Sequence, residues 1–262
     1  MELKKHLLSA LILMTTAVTP TRAQALAQVG SAGSEVGEDA GRLTRTGFAY
    51  ARSGRYAEAV EALKRAIRLD PELAEAYYFL GAAYNNMNQY EEAIGAFQQA
   101  VRLKPGWGVA YSGLGVAYNC AGRFGESLAA LRQAISLEPG RAQTYVNLSA
   151  TYANMGRFGE AAEASRQALR LDPRLAEAYY RLGRAYCFLG KRKEAAESLR
   201  RALSLRPGYA EAHSDLGAVY LLLGDRAAAL EEYRKVPSLD PGLAGDLYRL
   251  IYKDKILAAN AK

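Results

Sequence analysis

Apolar side chains fall at helical spacing along this chain, and the whole arrangement returns every 34 residues. Pro71, Pro105, Pro139, Pro173, Pro207 and Pro241 mark the period. With the proline at position 32, repeats begin at Ala40, Ala74, Gly108, Ala142, Ala176 and Ala210. Position 4 reads Leu43, Tyr77, Tyr111, Tyr145, Tyr179 and His213; position 7 reads Thr46, Leu80, Leu114, Leu148, Leu182 and Leu216. Position 8 reads Gly47, Gly81, Gly115, Ser149, Gly183 and Gly217, and position 11 is Tyr in every repeat, from Tyr50 to Tyr220. Spacing of 4, 7, 8 and 11 puts these residues on one face of a helix.

A second stripe follows at i, i+4 and i+7. Position 20 is Ala59, Ala93, Ser127, Ala161, Ala195 and Ala229. Position 24 is Leu63, Phe97, Leu131, Ser165, Leu199 and Tyr233, and position 27 is Ala in five repeats and Val236 in the last. Between the stripes stands Gly54, Asn88, Gly122, Gly156, Gly190 or Gly224. Gly and Asn tolerate the left-handed conformation that ends a helix. The proline then closes the second helix, because its ring cannot continue one. Small residues at positions 8 and 20 let backbones approach, with the tyrosines filling the space beside them. One such hairpin cannot bury its own apolar face, so neighbours must stack, and Tyr118 is expected in the core. Pro237 at position 28 predicts an early end to the last second helix.

Together the aromatic at 4, Leu-Gly at 7 and 8, Tyr at 11, Ala at 20 and 27 and Pro at 32 resemble the tetratricopeptide repeat family over roughly residues 40–241. The resemblance implies an all-α, right-handed solenoid of six helix-turn-helix repeats over 40–243 (40–73, 74–107, 108–141, 142–175, 176–209 and 210–243). Departures are local: Leu43, Thr46, Ser127, Ser149 and His213, with Ser165 expected to loosen the stack locally. Residues 244–262 read as a capping helix and tail: Leu243, Leu247, Leu250 and Ile251 share a face, and Asp254 replaces the tyrosine of position 11.

Ahead of the array, residues 1–25 read as a secretory signal, with Lys4 and Lys5, an apolar run from Leu7 to Val18 and Ala23-Gln24-Ala25 as a cleavage site. That run is too short for a bilayer, which needs about 20 residues. Residues 26–39 are small, polar and aperiodic, a flexible linker. Export to the periplasm or cell exterior follows as an expectation, with no transmembrane segment after cleavage.

Charge and chemistry change the picture little. The net charge of +7 falls to +5 without the signal. Position 25 is basic in five repeats (Lys64, Arg132, Arg166, Arg200, Arg234), and Glu61–Arg65, Glu197–Arg201 and Glu231–Lys235 are i, i+4 pairs, the pattern of a solvated helix face. Cys120 and Cys187 lie two repeats apart, roughly 16–20 Å at ordinary helix spacing. That is beyond the reach of a disulfide, so two free thiols at buried helix faces are expected. His213 sits at a core position, and no Cys/His cluster, phosphate loop or nucleophile–base constellation accompanies it. Neither an enzyme nor a cofactor is indicated.

The resemblance implies that the first helices line a concave groove, floored by positions 2, 5, 9, 12 and 13 with 6 beside them. Candidate peptide-binding residues are Tyr78, Phe79, Asn85, Asn86, Asn119, Asn147, Asn154, Tyr180, Arg181 and Arg184, joined by Val109, Ser112, Val116, Gln143, Val146, Glu177 and Phe188. Asparagine offers donor and acceptor to a peptide backbone, aromatics give contact area at little entropy cost, and Arg181 with Arg184 could hold a carboxylate. Asn85, Asn86, Asn119 and Asn154 also fall where a helix ends, a role that explains asparagine equally well. The family's clamp of Lys at position 5 and Asn at 9 is absent. An exported, non-catalytic adaptor holding a protein or peptide in the groove, within an envelope assembly, is the leading expectation. Self-assembly, or binding of an anionic polymer along the position-25 stripe, are the alternatives; nucleic acid is not expected.

Overall fold

The computed structural model describes residues 39–251 other than Pro237, Asp246 and Leu250. The expected signal, most of the linker and the tail from residue 252, Asp254 included, lie outside the described residues. Asp39, read from sequence as linker, is already helical.

Among the described residues the chain is helical and carries no strand. It divides into two parts, one reaching Ala76 and one beginning at Tyr77. The first part holds α1, described over 39–52, and α2 (Tyr56–Leu69). Gly47 lies against Leu63, so close that a Cβ there would fall 2.5 Å from the leucine side chain.

The second part follows α3 (Ala74–Asn86), which crosses the division, with α4 (Tyr90–Leu103), α5 (Gly108–Cys120), α6 (Phe124–Leu137), α7 (Ala142–Asn154) and α8 (Phe158–Leu171). Then come α9 (Ala176–Phe188), α10 (Arg192–Leu205), α11 (Ala210–Leu222), α12 (Arg226–Lys235) and last α13, described as helix at 241–245, 247–249 and 251. Each odd-numbered helix from α5 to α11 packs on its even-numbered partner, and α5, α7, α9 and α11 also lie beside one another. Helix α12 has 10 residues against 14 in its counterparts, as Pro237 predicts.

The turns repeat one device. Asn88 (φ 59°) and Gly54, Gly122, Gly156, Gly190 and Gly224 (φ 72° to 82°) are all left-handed. The next residue donates its N–H back to the position-11 tyrosine carbonyl, as in Arg123 to Tyr118 at 2.8 Å and Lys191 to Tyr186 at 2.9 Å. This is the Schellman closure, which satisfies carbonyls that the helix end leaves open. The residue that donates is cationic in four repeats, and its side chain caps the same tyrosine ring: Arg55 on Tyr50, Arg123 on Tyr118, Arg157 on Tyr152 and Lys191 on Tyr186.

Tyr118 is buried, its hydroxyl accepting from Gln98 Nε2 at 3.0 Å. Inside the pairs, position 8 faces position 24. A Cβ on Gly81, Gly115 or Gly183 would come within 2.9, 2.6 or 2.8 Å of Phe97, Leu131 or Leu199. In α7/α8 the same place holds Ser149 and Ser165, both buried, whose hydroxyls meet at 2.8 Å. The expected loosening is therefore replaced by a hydrogen bond. Ser127 is also buried, its hydroxyl donating to the Gly115 carbonyl at 2.7 Å and lying 2.9 Å from Thr151 Oγ1.

Two further expectations are corrected. Among the described residues the ion pairs within the second helices run mostly at i, i+3, as in Glu163–Arg166 and Glu231–Arg234, with Glu163–Arg170 at i, i+7, while Lys235 pairs with Glu232 rather than Glu231. Cys120 and Cys187 are both free, but Cys120 is exposed, while Cys187 is half-buried and packs against the core around Leu199 and Leu216. What burial they have pushes both thiols up. Among the described residues no helix is long and apolar enough to cross a membrane.

Candidate functional site

The first helices α5, α7, α9 and α11, side by side, present a continuous face made of positions 2, 6, 9, 12 and 13, because those positions point away from the partner helices. Polar side chains bridge it. Asn147 Nδ2 donates to Ser112 Oγ at 3.1 Å, Asn154 Nδ2 to Asn119 Oδ1 at 3.1 Å, and Gln143 Nε2 to Glu177 Oε2 at 3.3 Å. Arg184 Nε lies 3.5 Å from Asp215 Oδ2, and Arg181 donates to Glu177 Oε1 at 3.3 Å. Most of these links join one first helix to the next.

These bridges give some of the asparagines a structural part beside the two roles read from sequence. Asn119 and Asn154 tie neighbouring helices together. Asn86 alone serves its own helix, donating to the Ala82 carbonyl at 2.8 Å. Asn85 Oδ1 is shielded from solvent and has no donor among the described residues. Position 5 is a correction. Ser112, Val146 and Tyr180 are buried, Tyr180 at 7% exposure, so the tyrosine ring offers no open contact area to a peptide. Its cause is the end of its own repeat: Tyr209, at position 34, lies against Tyr180 with centroids 4.7 Å apart, as Trp107 lies against Tyr78 at 4.8 Å. Burial pushes the Tyr180, Tyr209 and Tyr78 phenols up. Phe79 packs edge-on to Tyr78 at 5.3 Å.

Two hollows open beside the bridges. One, of about 240 Å³, is lined by Tyr78, Asn85, Asn86, Ser112, Val116, Arg141, Gln143 and Asn147. The other, of about 300 Å³, is lined by Ser149, Ala153, Asn154, Phe158, Arg181, Arg184, Ala185 and Phe188. The structure thus brings Tyr78, Asn85, Asn86 and Asn147 to one hollow and Asn154, Arg181 and Arg184 to the other. It places Phe79 and Tyr180 in neither. Both guanidinium groups lie 5.8–5.9 Å from the Tyr180 ring centroid, so the buried tyrosine supports them from beneath. Burial pushes the Asp215 carboxyl up, against the pull of Arg184 and a hydrogen bond from Tyr180.

Phe158 and Asp215 were missed in the sequence. Phe158 belongs to a second helix, where only its aromatic character at position 17 marked it. Asp215 sits at position 6 in a different repeat from its partner.

A separate hollow of about 590 Å³ surrounds the buried His213. Its Nδ1 lies 2.5 Å from Glu232 Oε2 and its Nε2 lies 2.9 Å from the Pro207 carbonyl, while Lys235 Nζ donates to Glu232 Oε1 at 2.9 Å. A carbonyl only accepts, so Nε2 carries a proton. With both ring nitrogens engaged, the imidazole has none to offer a substrate. Among the described residues no cluster of His, Cys, Asp and Glu could hold a metal ion.

Paired helices in tandem, Schellman turns and a bridged first-helix face define a tetratricopeptide-repeat solenoid. A family model described as the Cilia and flagella-associated protein 70 C-terminal domain matches residues 2–245, and the chain belongs to that family. No curated protein matches it. Among solved structures, the APC/C hetero-tetramer Cut9–Hcn1 is similar with a TM-score of 0.74 at 21% identity over 82% of this chain. The chain spans 43% of that one. PilW, a widely conserved type IV pilus biogenesis factor, gives 0.69 at 22% identity over 77% of this chain and 94% of its own. YrrB, described as a TPR protein with an unusual peptide-binding site, gives 0.52 at 22% over 72% and 99%. At these identities the likeness carries the fold.

Proposed function

We propose that the chain is an exported, non-catalytic adaptor that holds an extended polypeptide along the first-helix face. The observation that carries this reading is the pair of hollows on that face, one lined with amide and hydroxyl groups, the other with arginine and phenylalanine. Amides and hydroxyls bond a peptide backbone of any sequence, and the hollows between them accept side chains. The described roles of PilW in pilus biogenesis and of YrrB in peptide binding agree with such a part. The alternative of an anionic polymer on the basic second-helix stripe is weakened by geometry, since Arg166 and Arg234 are already paired with Glu163 and Glu231. Export rests on the signal pattern of residues 1–25.

Selection of short random peptides on the immobilised protein tests the reading. Peptides should be enriched, and Val116→Arg, which places a charge in the amide-lined hollow, should abolish the enrichment. Peptides retained equally by Val116→Arg would move the binding surface away from this face. Cleavage near Ala25, read from the N-terminus of the protein recovered outside the cytoplasm, tests export.

A further inference from the structure

The turns that follow α9 and α11 differ from the others in what they expose. Phe188 and Leu189 end one of these helices, Leu222 and Leu223 the other, and the four side chains are 40% to 61% exposed. The turn itself does not ask for large apolar residues there. The same two positions hold Arg52 and Ser53 in the first repeat and Cys120 and Ala121 in the third. Helices α9 and α11 lie beside one another, and both pairs stand at the same helix end, so the four side chains share one edge. A shared apolar edge of this kind marks an interaction surface.

Cations accompany it. Lys191, Arg192 and Lys193 follow directly, and all three are exposed. In the turns after α5 and α7 the cation that opens the second helix, Arg123 or Arg157, is tied to a carboxylate three residues on, Glu126 or Glu160. Lys191 lies over the Tyr186 ring instead, and none of the three cations forms an ion pair among the described residues. With Arg226, four cations stand on the two turns against two carboxylates, Glu194 and Asp225. Asp225 Oδ1 is engaged by the Ala228 N–H at 2.9 Å.

We propose that this edge docks on an anionic lipid surface. The four apolar side chains enter the boundary between headgroups and acyl chains, and Lys191, Arg192 and Lys193 meet the headgroup phosphates. Charge complementarity supports the choice, since each cation near such a surface adds to binding and the apolar side chains add in proportion to the area they bury. Shape supports it as well. The side chains project from turns, and a fluid interface accepts projecting groups without shaped pockets, whereas a folded acidic partner needs a complementary surface packed around each. The Phe188 ring is already oriented, stacked on Phe158 with centroids 4.3 Å apart. The proposal adds a membrane to the groove reading without resting on it.

Flotation of the full chain with vesicles of phosphatidylglycerol and phosphatidylcholine, against phosphatidylcholine alone, tests it. The anionic vesicles should bind more tightly, and added salt should weaken that binding. Lys191→Gln, Arg192→Gln and Lys193→Gln together should weaken it about 100-fold. Leu189→Ser with Leu223→Ser should weaken it about tenfold or more. Residues 1–25 carry two lysines and an apolar run of their own, so a local readout accompanies flotation. Leu223→Trp places an indole on the edge, whereas the native Trp107 lies packed against Tyr78. Brominated lipid in the anionic vesicles should quench the added emission, leave that of the parent unchanged, and lose its effect when the three Gln substitutions are present. Flotation without quenching of Leu223→Trp, or binding that survives the Gln substitutions, overturns the proposal and assigns the binding to another surface. Indifference to both vesicles overturns it too. Retention on immobilised polyglutamate, lost with the Gln substitutions, would then make the edge a site for an acidic protein.

Discussion

Leu199 and Ser165 stand at the same position of neighbouring second helices, one a large apolar side chain and the other a small hydroxyl. In α9/α10, Leu199 presses so closely on Gly183 that no Cβ fits there. In α7/α8, the shortened Ser165 leaves room for a Cβ on Ser149, and the two hydroxyls satisfy each other in the core. The departure from the repeat is thus a matched exchange. Packing at this position is replaced by a hydrogen bond, and neither residue makes sense without the other. The same holds in α11/α12, where position 23 carries Glu232 instead of Ala or Ser and position 4 carries His213 instead of Tyr or Leu. Two polar residues entered the core together and pair there.

The comparison breaks most visibly at position 24 itself. Leu199 is fully buried, so Leu199→Ala should cost about 3 kcal/mol, the transfer of the lost methyl groups plus the cavity they leave. Ser165→Ala removes only half of a hydrogen bond and should cost about 1 kcal/mol. Chemical denaturation of both variants gives the contrast directly. Equal losses would mean that the serine pair carries the packing role of the leucine.

Glu232 tests the second exchange. Glu232→Ala strips the buried imidazole of its carboxylate and should cost about 3 kcal/mol. Adding His213→Tyr restores the side chains of the other repeats and should recover most of that loss. A single variant as stable as the parent would show that the pair is tolerated rather than required.

Matched exchange also predicts a rescue. Ser165→Leu alone drives a leucine into the space of the Ser149 side chain and should cost about 1–3 kcal/mol. With Ser149→Gly beside it, the pair becomes the one seen in α5/α6, and stability should return to the parent value or exceed it. A double variant no better than the single one would place the conflict elsewhere, since contacting residues should couple.

How far the sequence reached follows from the same distinction. Period, helix ends and core positions were legible because each is set by local chemistry: glycine or asparagine for the left-handed turn, proline for the stop, small residues for close approach. The short α12 was legible from Pro237 for the same reason. Residues whose surroundings come from another helix were not. Tyr180 reads as a groove residue until Tyr209, from the far end of the same repeat, is laid on it. Asn119 and Asn154 read equally as groove or helix-end residues until each is seen to bond the other across α5 and α7. A single repeat shows which face a side chain leaves from. What meets it there depends on residues distant in sequence, as when position 34 folds back over position 5 of its own repeat without any local mark.

Asp215 offers the gentlest test, on the bridged face rather than in the core. Its Oδ2 is shielded although the side chain as a whole is 39% exposed. Burial raises its carboxyl above the ordinary value, so the folded chain holds that proton more tightly than the unfolded one. Stability therefore falls as pH rises from about 4, the unfolded value, through the raised folded value, and stays reduced above it. Asp215→Asn keeps an acceptor for Tyr180 and Arg184 and removes the charge. The variant should be more stable than the parent near neutral pH by less than about 1 kcal/mol, solvent screening keeping the gain small. The gap should close as pH drops below about 4, where the parent carboxyl is protonated in both states. Melting curves across that range read the difference. A variant less stable than the parent at neutral pH would show that the charge on Asp215 serves Arg184 more than burial opposes it, and would make this bridge a true ion pair of the face.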